Sequence, residues 1–169
     1  RERHPETKNW IYAPVRLQSR GFDAEIAGDL TPDWQLFAGY TYNTRKYTAT
    51  AGQQQLFVKG ADFSQHTPKH MFRLYTTYRL PGAANRWTLK GGFNIQDKHR
   101  SWDVKQPLGG YTVWNAGVQY QPNKKLNLGL TVNNLTDKRY YENYEARTYG
   151  WGYFYGEPRN VVFNLKWTM

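Results

Sequence analysis

Apolar and polar residues alternate one for one along most of this chain. Phe22, Ala24, Ile26, Gly28 and Leu30 are interleaved with Asp23, Glu25, Ala27 and Asp29, the period-two signature of a strand with one wet face. A TPD turn follows, and Trp34, Leu36, Ala38, Tyr40 and Tyr42 then alternate with Gln35, Phe37, Gly39, Thr41 and Asn43, which predicts a tight hairpin. The pattern returns from Phe72 to Leu80, Trp87 to Gln96, Thr112 to Tyr120, Leu126 to Asn133 and Val161 to Met169. Seven strands result, joined alternately by three short turns (TPD, PGAANR and QPNKK) and three long polar stretches at 44–69, 97–109 and 135–157.

That alternation of connections excludes most soluble arrangements. A β-sandwich has no reason to gather its long loops at one end, whereas an outer-membrane barrel has short periplasmic turns and long external loops. The aromatic residues Trp34, Tyr78, Trp87 and Tyr120 sit next to the short turns on the apolar face, and Trp167 falls at the same level. They form a candidate membrane girdle, with rings at headgroup depth. The other face carries Asp23, Glu25, Arg73, Lys90, Asn94, Asn115, Asn127 and Lys166, which would be costly in a packed core and cost little beside a hydrated lumen.

Composition agrees with a wall one residue thick. Of 169 residues only 39% are hydrophobic, and the mean hydropathy is −0.86, low for a chain that buries a large core. Yet 17% are aromatic, which argues against disorder. No apolar run approaches a transmembrane helix, so a membrane reading rests on strands. The 23 Lys and Arg exceed the 13 Asp and Glu by ten; without a run of like charges, this surplus fits an anionic membrane or ligand better than nucleic acid. Cysteine is absent, which removes disulfides and thiolate metal sites.

Seven strands are too few and too odd in number to close a bacterial barrel. The expectation is therefore that residues 1–169 are the C-terminal part of a larger barrel domain, entering from an external loop and ending at the periplasmic rim. An eighth strand hidden in NWIYAPVRLQ is the alternative.

Four stretches, SRGFDAEIAGDLTPDWQLFAGYTYN, TPKHMFRLYTTYRLPG, NNLTDKRYYENY and YGEPRNVVFNLKW, resemble the closing part of TonB-dependent outer-membrane siderophore receptors. The likeness is nearest to receptors for ferric hydroxamate and pyoverdine-type siderophores and runs from Ser19 to Met169. It implies an all-β fold, about seven strands of a 22-stranded antiparallel transmembrane barrel, with a plug domain and earlier strands outside this chain. It further implies a bacterial outer-membrane location, ferric siderophore as external ligand, TonB engaged through the missing N-terminal part, and insertion by the barrel-assembly machinery. Iron would arrive only as the siderophore's cargo, with no cofactor bound directly. Met169 stands where the family usually ends on Phe.

Candidate ligand contacts concentrate in the loops. YYENYEARTYGWGYFYG carries Tyr144, Arg147, Tyr149, Trp151, Tyr153 and Tyr155, rings and a cation able to embrace a ferric chelate by stacking and cation–π contact. Trp102 in the 97–109 loop is a further candidate. Arg45, Lys46, Lys59 and Lys69 against Asp62 make the 44–69 stretch basic, suited to anionic ligands or lipopolysaccharide phosphates. YGEPRN and NNLTDKRY read as architectural turns, in which Asn134, Thr136 and Asp137 bond nearby backbone.

Metal and catalytic readings fare less well. His66 and His70 are four apart but straddle a proline at a strand entrance, not a helix face. Asp23 and Glu25 share a strand face, where a hydrated charge network explains them more simply than acid catalysis. No enzyme is expected. A passive porin or adhesin barrel and a soluble carbohydrate-binding β-protein are the competing readings.

Overall fold

The computed structural model describes residues 2–3, 6–11, 15–50, 59–62, 67–100, 107–147 and 150–168. One antiparallel sheet of seven strands dominates them: β1 (Val15–Thr31), β2 (Trp34–Thr50), β3 (His70–Arg79), β4 (Trp87–Gln96), β5 (Tyr111–Asn123), β6 (Leu126–Asn133) and β7 (Asn160–Trp167). Each strand pairs with its neighbour in sequence, and β1 and β7 form the two edges of an open sheet. The only helical element among the described residues is a single 3-10 turn at Gly82–Ala84.

The register explains the alternation. Phe22 opposes Tyr42, Ala24 opposes Tyr40 and Ile26 opposes Ala38. Ala38 in turn opposes Leu74, which opposes Phe93, which opposes Trp114. At the far edge Leu128 faces Leu165 and Leu130 faces Phe163. Every apolar set therefore meets another, and one apolar face runs unbroken across seven strands. Its large residues are open to the surroundings, with Ile26, Phe163 and Leu165 all more than 60% exposed. Among the described residues only Leu108 and Val113 are buried hydrophobics, so the sheet has no second layer to pack against. Such a face needs lipid, because a one-residue slip would exchange it wholesale for the polar one.

The polar face follows the same register. Glu25, Gly39, Arg73 and Asn94 form one row across β1 to β4, and Asn127 opposes Lys166. Small residues make room on this side. The Tyr75 ring lies over Gly92, where an added Cβ would sit 2.6 Å from its Cδ1, and its hydroxyl donates to Asn94 Oδ1 at 2.9 Å.

Several strand boundaries differ from the sequence expectation: β5 runs on to Asn123 through the first part of QPNKK, β3 starts at His70, and the largest differences are in β1 and β2. β1 starts at Val15, not Phe22, and β2 runs to Thr50, not Asn43. The outward face turns polar in this overhang while the other keeps Leu17 opposite Tyr47, so the apolar set no longer alternates in phase although backbone pairing continues, Gln18 opposite Lys46 and Arg20 opposite Thr44. No eighth sheet strand arises from NWIYAPVRLQ: Trp10–Ile11 pairs with Glu2–Arg3 in a separate small hairpin, and Val15 onward belongs to β1.

Candidate functional site

All three short turns lie at one end of the sheet, and the long connections at the other. At the short-turn end Trp34 opposes Tyr78, with ring centroids 6.1 Å apart and edge-on, and Trp87 stacks on Tyr120 at 4.4 Å. The Trp34 indole Nε1 donates to Thr76 Oγ1 at 2.7 Å. Trp167 stands opposite Leu126 and is 60% exposed. The five aromatics named from the sequence thus occupy one end and one face.

A second aromatic row, missed in the sequence, lies six to eight residues up the same strands. Phe22 meets Tyr40 and Tyr42 at 5.7 and 5.9 Å, His70 lies 4.9 Å from Tyr42, and Tyr40 Oη shares a 2.7 Å hydrogen bond with His70 Nδ1. Farther across the sheet Phe93 meets Trp114 at 4.6 Å, six residues up their strands from Trp87 and Tyr120. On β2, eight residues at about 3.3 Å each span about 26 Å of strand, or about 20 Å of height at a tilt of about 40°, close to the roughly 25 Å apolar band of an outer-membrane barrel. The signal was present as the repeat of aromatics from Trp34 to Tyr42. His70 therefore sits in an aromatic cluster, and its sequence partner His66 lies outside the described residues; no cluster of three metal-ligating side chains occurs among those described.

At the long-loop end the best-defined structure is a polar clamp between β6 and β7. Asn134 is 2% exposed and takes a left-handed φ of 49°, which asparagine tolerates better than most residues. Its Nδ2 donates to the carbonyls of Lys138 and Glu157, each at 2.9 Å, and its Oδ1 accepts from Lys138 N at 2.8 Å. Its own N–H donates to Asn115 Oδ1 at 3.0 Å. Asp137 Oδ1 accepts from Arg159 N at 3.1 Å, and Asn133 Nδ2 donates to Asn160 Oδ1 at 2.9 Å. The motifs NNLTD and EPRN are thus two halves of one staple, in keeping with their architectural reading.

From this clamp rises a hairpin of Tyr141–Arg147 and Gly150–Tyr155. Its foot is aromatic: Tyr141 and Tyr155 lie 4.7 Å apart with their hydroxyls 3.1 Å apart. Below it the Tyr140 ring covers Gly156, leaving no space for a Cβ, and meets Tyr111 at 4.1 Å. Burial, and then the carboxylates of Glu142 and Glu157, push the Tyr140 hydroxyl above its ordinary pKa despite a backbone hydrogen bond at Glu157. An open cleft of about 900 Å³, bordered by Met71, Gln96, Tyr111 and Lys138 among others, lies at the same end.

The hairpin brings several ligand candidates together in register: Tyr144 opposes Tyr153, and Arg147 opposes Gly150 next to Trp151. Tyr155 is exposed at the foot. Trp102 and Tyr149 lie outside the described residues. Arg45 departs from the reading that made it part of an open basic loop, because it is buried and its Nη2 donates to the carbonyls of Thr67 and Pro68 at 3.2 and 3.3 Å.

Residues 6–135 match the family described as TonB dependent receptor-like, beta-barrel. The chain belongs to this receptor family. Among curated relatives, the ferric-pyoverdine M114 receptor of Pseudomonas sp. is 35% identical over 89% of this chain and 18% of its own length. The catecholate siderophore receptor Fiu of Escherichia coli K12 is 32% identical over 92% of this chain and 20% of its own length. The pyoverdine outer membrane receptor of Pseudomonas aeruginosa, solved bound to pyoverdine, superimposes with a TM-score of 0.77 at 29% identity, covering 99% of this chain and 24% of that one. The chain therefore spans about a fifth of the length of the curated relatives it matches. TonB-dependent receptors of this kind are outer-membrane β-barrels and not enzymes, and the open seven-stranded sheet is a stretch of such a wall.

Proposed function

We propose that this chain forms wall and external binding surface of an outer-membrane receptor that takes up a ferric siderophore with energy delivered through TonB. The carrying observation is the sheet itself: an unbroken apolar face bounded by two aromatic rows, a charged opposite face, and every long connection at one end. Lipid covers the first face, a hydrated lumen meets the second, and ligand approaches from the loops. The likeness to pyoverdine and catecholate siderophore receptors supports iron chelates as the ligand class.

In this reading the 141–155 hairpin contributes Tyr144, Arg147, Trp151, Tyr153 and Tyr155 to chelate binding, and Tyr149 and Trp102 are further candidate contacts from the sequence. The siderophore keeps iron in its own oxygen cage, so the protein supplies stacking and cation–π contact without ligating metal. The hairpin's foot and the Asn134 clamp hold that surface in place. The rows headed by Trp34, Tyr78, Trp87, Tyr120 and Trp167 anchor the wall at the inner headgroup level.

Uptake of radioactive iron by a strain lacking the gene, complemented with the full reading frame, tests this. A panel of pyoverdine-type, hydroxamate and catecholate chelates should yield one class that restores uptake, and loss of TonB should abolish uptake while leaving surface binding intact. Uptake unaffected by TonB would favour a passive barrel.

A further inference from the structure

No carboxylate occurs anywhere in β3 to β7. The acids of the polar face, Asp23, Glu25 and Asp29, all belong to β1, whereas its exposed cations stand on β3, β4 and β7. Three of these cations descend the sheet in steps toward the short turns. Arg73 lies five residues above Tyr78, Lys90 three above Trp87 and Lys166 one above Trp167. None of the three takes part in an ion pair among the described residues. Arg73 shares its row with Glu25, and both side chains lean over Gly39, where an added Cβ would stand 3.5 Å from Arg73 Cγ and 3.7 Å from Glu25 Oε1. Lys90 has no such neighbour. Its row reads Thr77, Gln35 and Asp29 to one side and Gly117, Thr131 and Val162 to the other. The first carboxylate along that row is three strands away, about 14 Å at about 4.8 Å per strand, which exceeds the screening length of about 8 Å in physiological salt.

Lys90 also borders a trough of about 320 Å³, walled by Tyr75, Thr77, Asn115, Thr131 and Asn133. Gly117, opposite Lys90, leaves the floor as bare backbone; an added Cβ would meet the Leu130 carbonyl at 3.0 Å and Thr131 Oγ1 at 3.3 Å. Asn115 Oδ1 accepts from the Asn134 N–H, so its amide N–H groups are left to donate.

From this we infer an internal anion site on the lumen wall, in which the Lys90 ammonium, with Asn115 and Thr131 beside it, receives a peripheral carboxylate of the ferric chelate after the chelate leaves the external loops; the inference rests on the siderophore reading above. A cation facing water between low-dielectric walls, with no carboxylate competing for it, draws anions toward it. Neighbouring amides and hydroxyls complete the hydrogen bonds of a carboxylate while adding no charge that would hold it fast. The trough has the volume of a small ligand pocket, which suits one arm of a chelate and not the whole. The steps from Arg73 to Lys166 lead away from the loops, so an anion held at Lys90 stands on the way through. An acidic side chain of a domain filling the lumen is the competing occupant.

The receptor, produced from its full reading frame in a strain lacking the gene, is the sample for the test. The probe is the chelate that restores uptake in the panel above, used as the free acid and with its non-ligating carboxylates converted to methyl esters. Lys90→Gln should leave whole-cell affinity for both forms unchanged and slow TonB-dependent uptake of the acid about three- to tenfold, while the ester enters as in wild type. Lys90→Arg should keep wild-type uptake of the acid, and Lys125→Gln, in a turn at the rim, should change nothing. Wild-type uptake of the acid by Lys90→Gln would overturn the site. Equal slowing of acid and ester, with lowered heat stability of the folded barrel, would also overturn it and assign Lys90 to a lumen-filling domain. A restoring chelate that carries no anionic group would do the same to the ligand class. Absence of TonB-dependent uptake of every chelate by wild type sinks instead the receptor reading beneath the site.

Discussion

Trp87 and Tyr120 stack at 4.4 Å across β4 and β5 at the short-turn end of the sheet. Such a pair contributes roughly 0.5–1.5 kcal/mol beyond the area it covers. Trp87→Ala should lower the unfolding free energy of the refolded receptor by at least that order, read as a lower denaturant midpoint, and Trp87→Phe should recover most of it. A double cycle with Tyr120→Ala, read by urea unfolding in lipid vesicles, isolates the pair term.

Leu74 and Arg73 are adjacent in β3 and point to opposite faces. Leu74→Arg puts a charge near mid-height of the lipid-facing side, at a cost of about 2–4 kcal/mol. Thr77→Arg, on the polar face, should cost far less. The comparison reads the sidedness of the wall, and equal costs would argue that neither face meets lipid.

Asn134→Ala removes three side-chain hydrogen bonds, strands carbonyls of Lys138 and Glu157, and places a Cβ residue without asparagine's tolerance at φ 49°. A loss of about 1–3 kcal/mol is expected, concentrated at the foot of the 141–155 hairpin. Asn134→Gly relieves only the backbone part. Faster external proteolysis between Tyr140 and Gly156 in both variants, with the alanine form worse, is the expected outcome.

Tyr144→Ala, Arg147→Ala and Tyr153→Ala should each weaken binding of the cognate ferric siderophore by several-fold, about 0.5–2 kcal/mol per stacking or cation–π contact. Trp167→Ala, at the opposite end, should leave affinity intact. Fluorescence titration on whole cells measures both, and unchanged affinity in all three loop variants would move the ligand surface elsewhere.

The Tyr140 hydroxyl titrates above its ordinary value of about 10, so the folded state favours its neutral form. That contribution to stability is complete below the unfolded value and is lost as pH rises through the raised folded one. Tyrosinate absorbance at high pH should lose one late-titrating group in Tyr140→Phe.

The sheet was legible in the sequence because each strand that meets lipid must alternate strictly: Trp34 to Tyr42 and Leu126 to Val132 could be read residue by residue. The overhang from Val15 to Gly21 was not, since its outward positions Arg16, Gln18 and Arg20 are polar and Leu17 falls on the opposite face, breaking the phase of the apolar set. The upper aromatic row escaped because its members belong to different strands, and only the register shows that Tyr42 and His70 are neighbours. The clamp's parts were visible as turn-forming residues, but Asn134 and Glu157 are 23 positions apart, and no local pattern announces a bond across that distance. For the hairpin, aromatic density pointed to the segment, while which strand faces which required the pairing of Tyr144 with Tyr153.

The single register shared by seven strands has a consequence for how such a protein can change. Insertion or loss of one residue inside a strand would reverse the faces of that strand against its neighbours, turning Arg73 of β3, Lys90 of β4 or Lys166 of β7 outward in turn, so length variation is favoured in the connections. Those at the short-turn end leave little space, with two residues between β1 and β2 and two between β5 and β6. New ligand preference must therefore be acquired almost entirely above the Asn134 clamp, where segments can be exchanged without renegotiating the fit between wall and membrane.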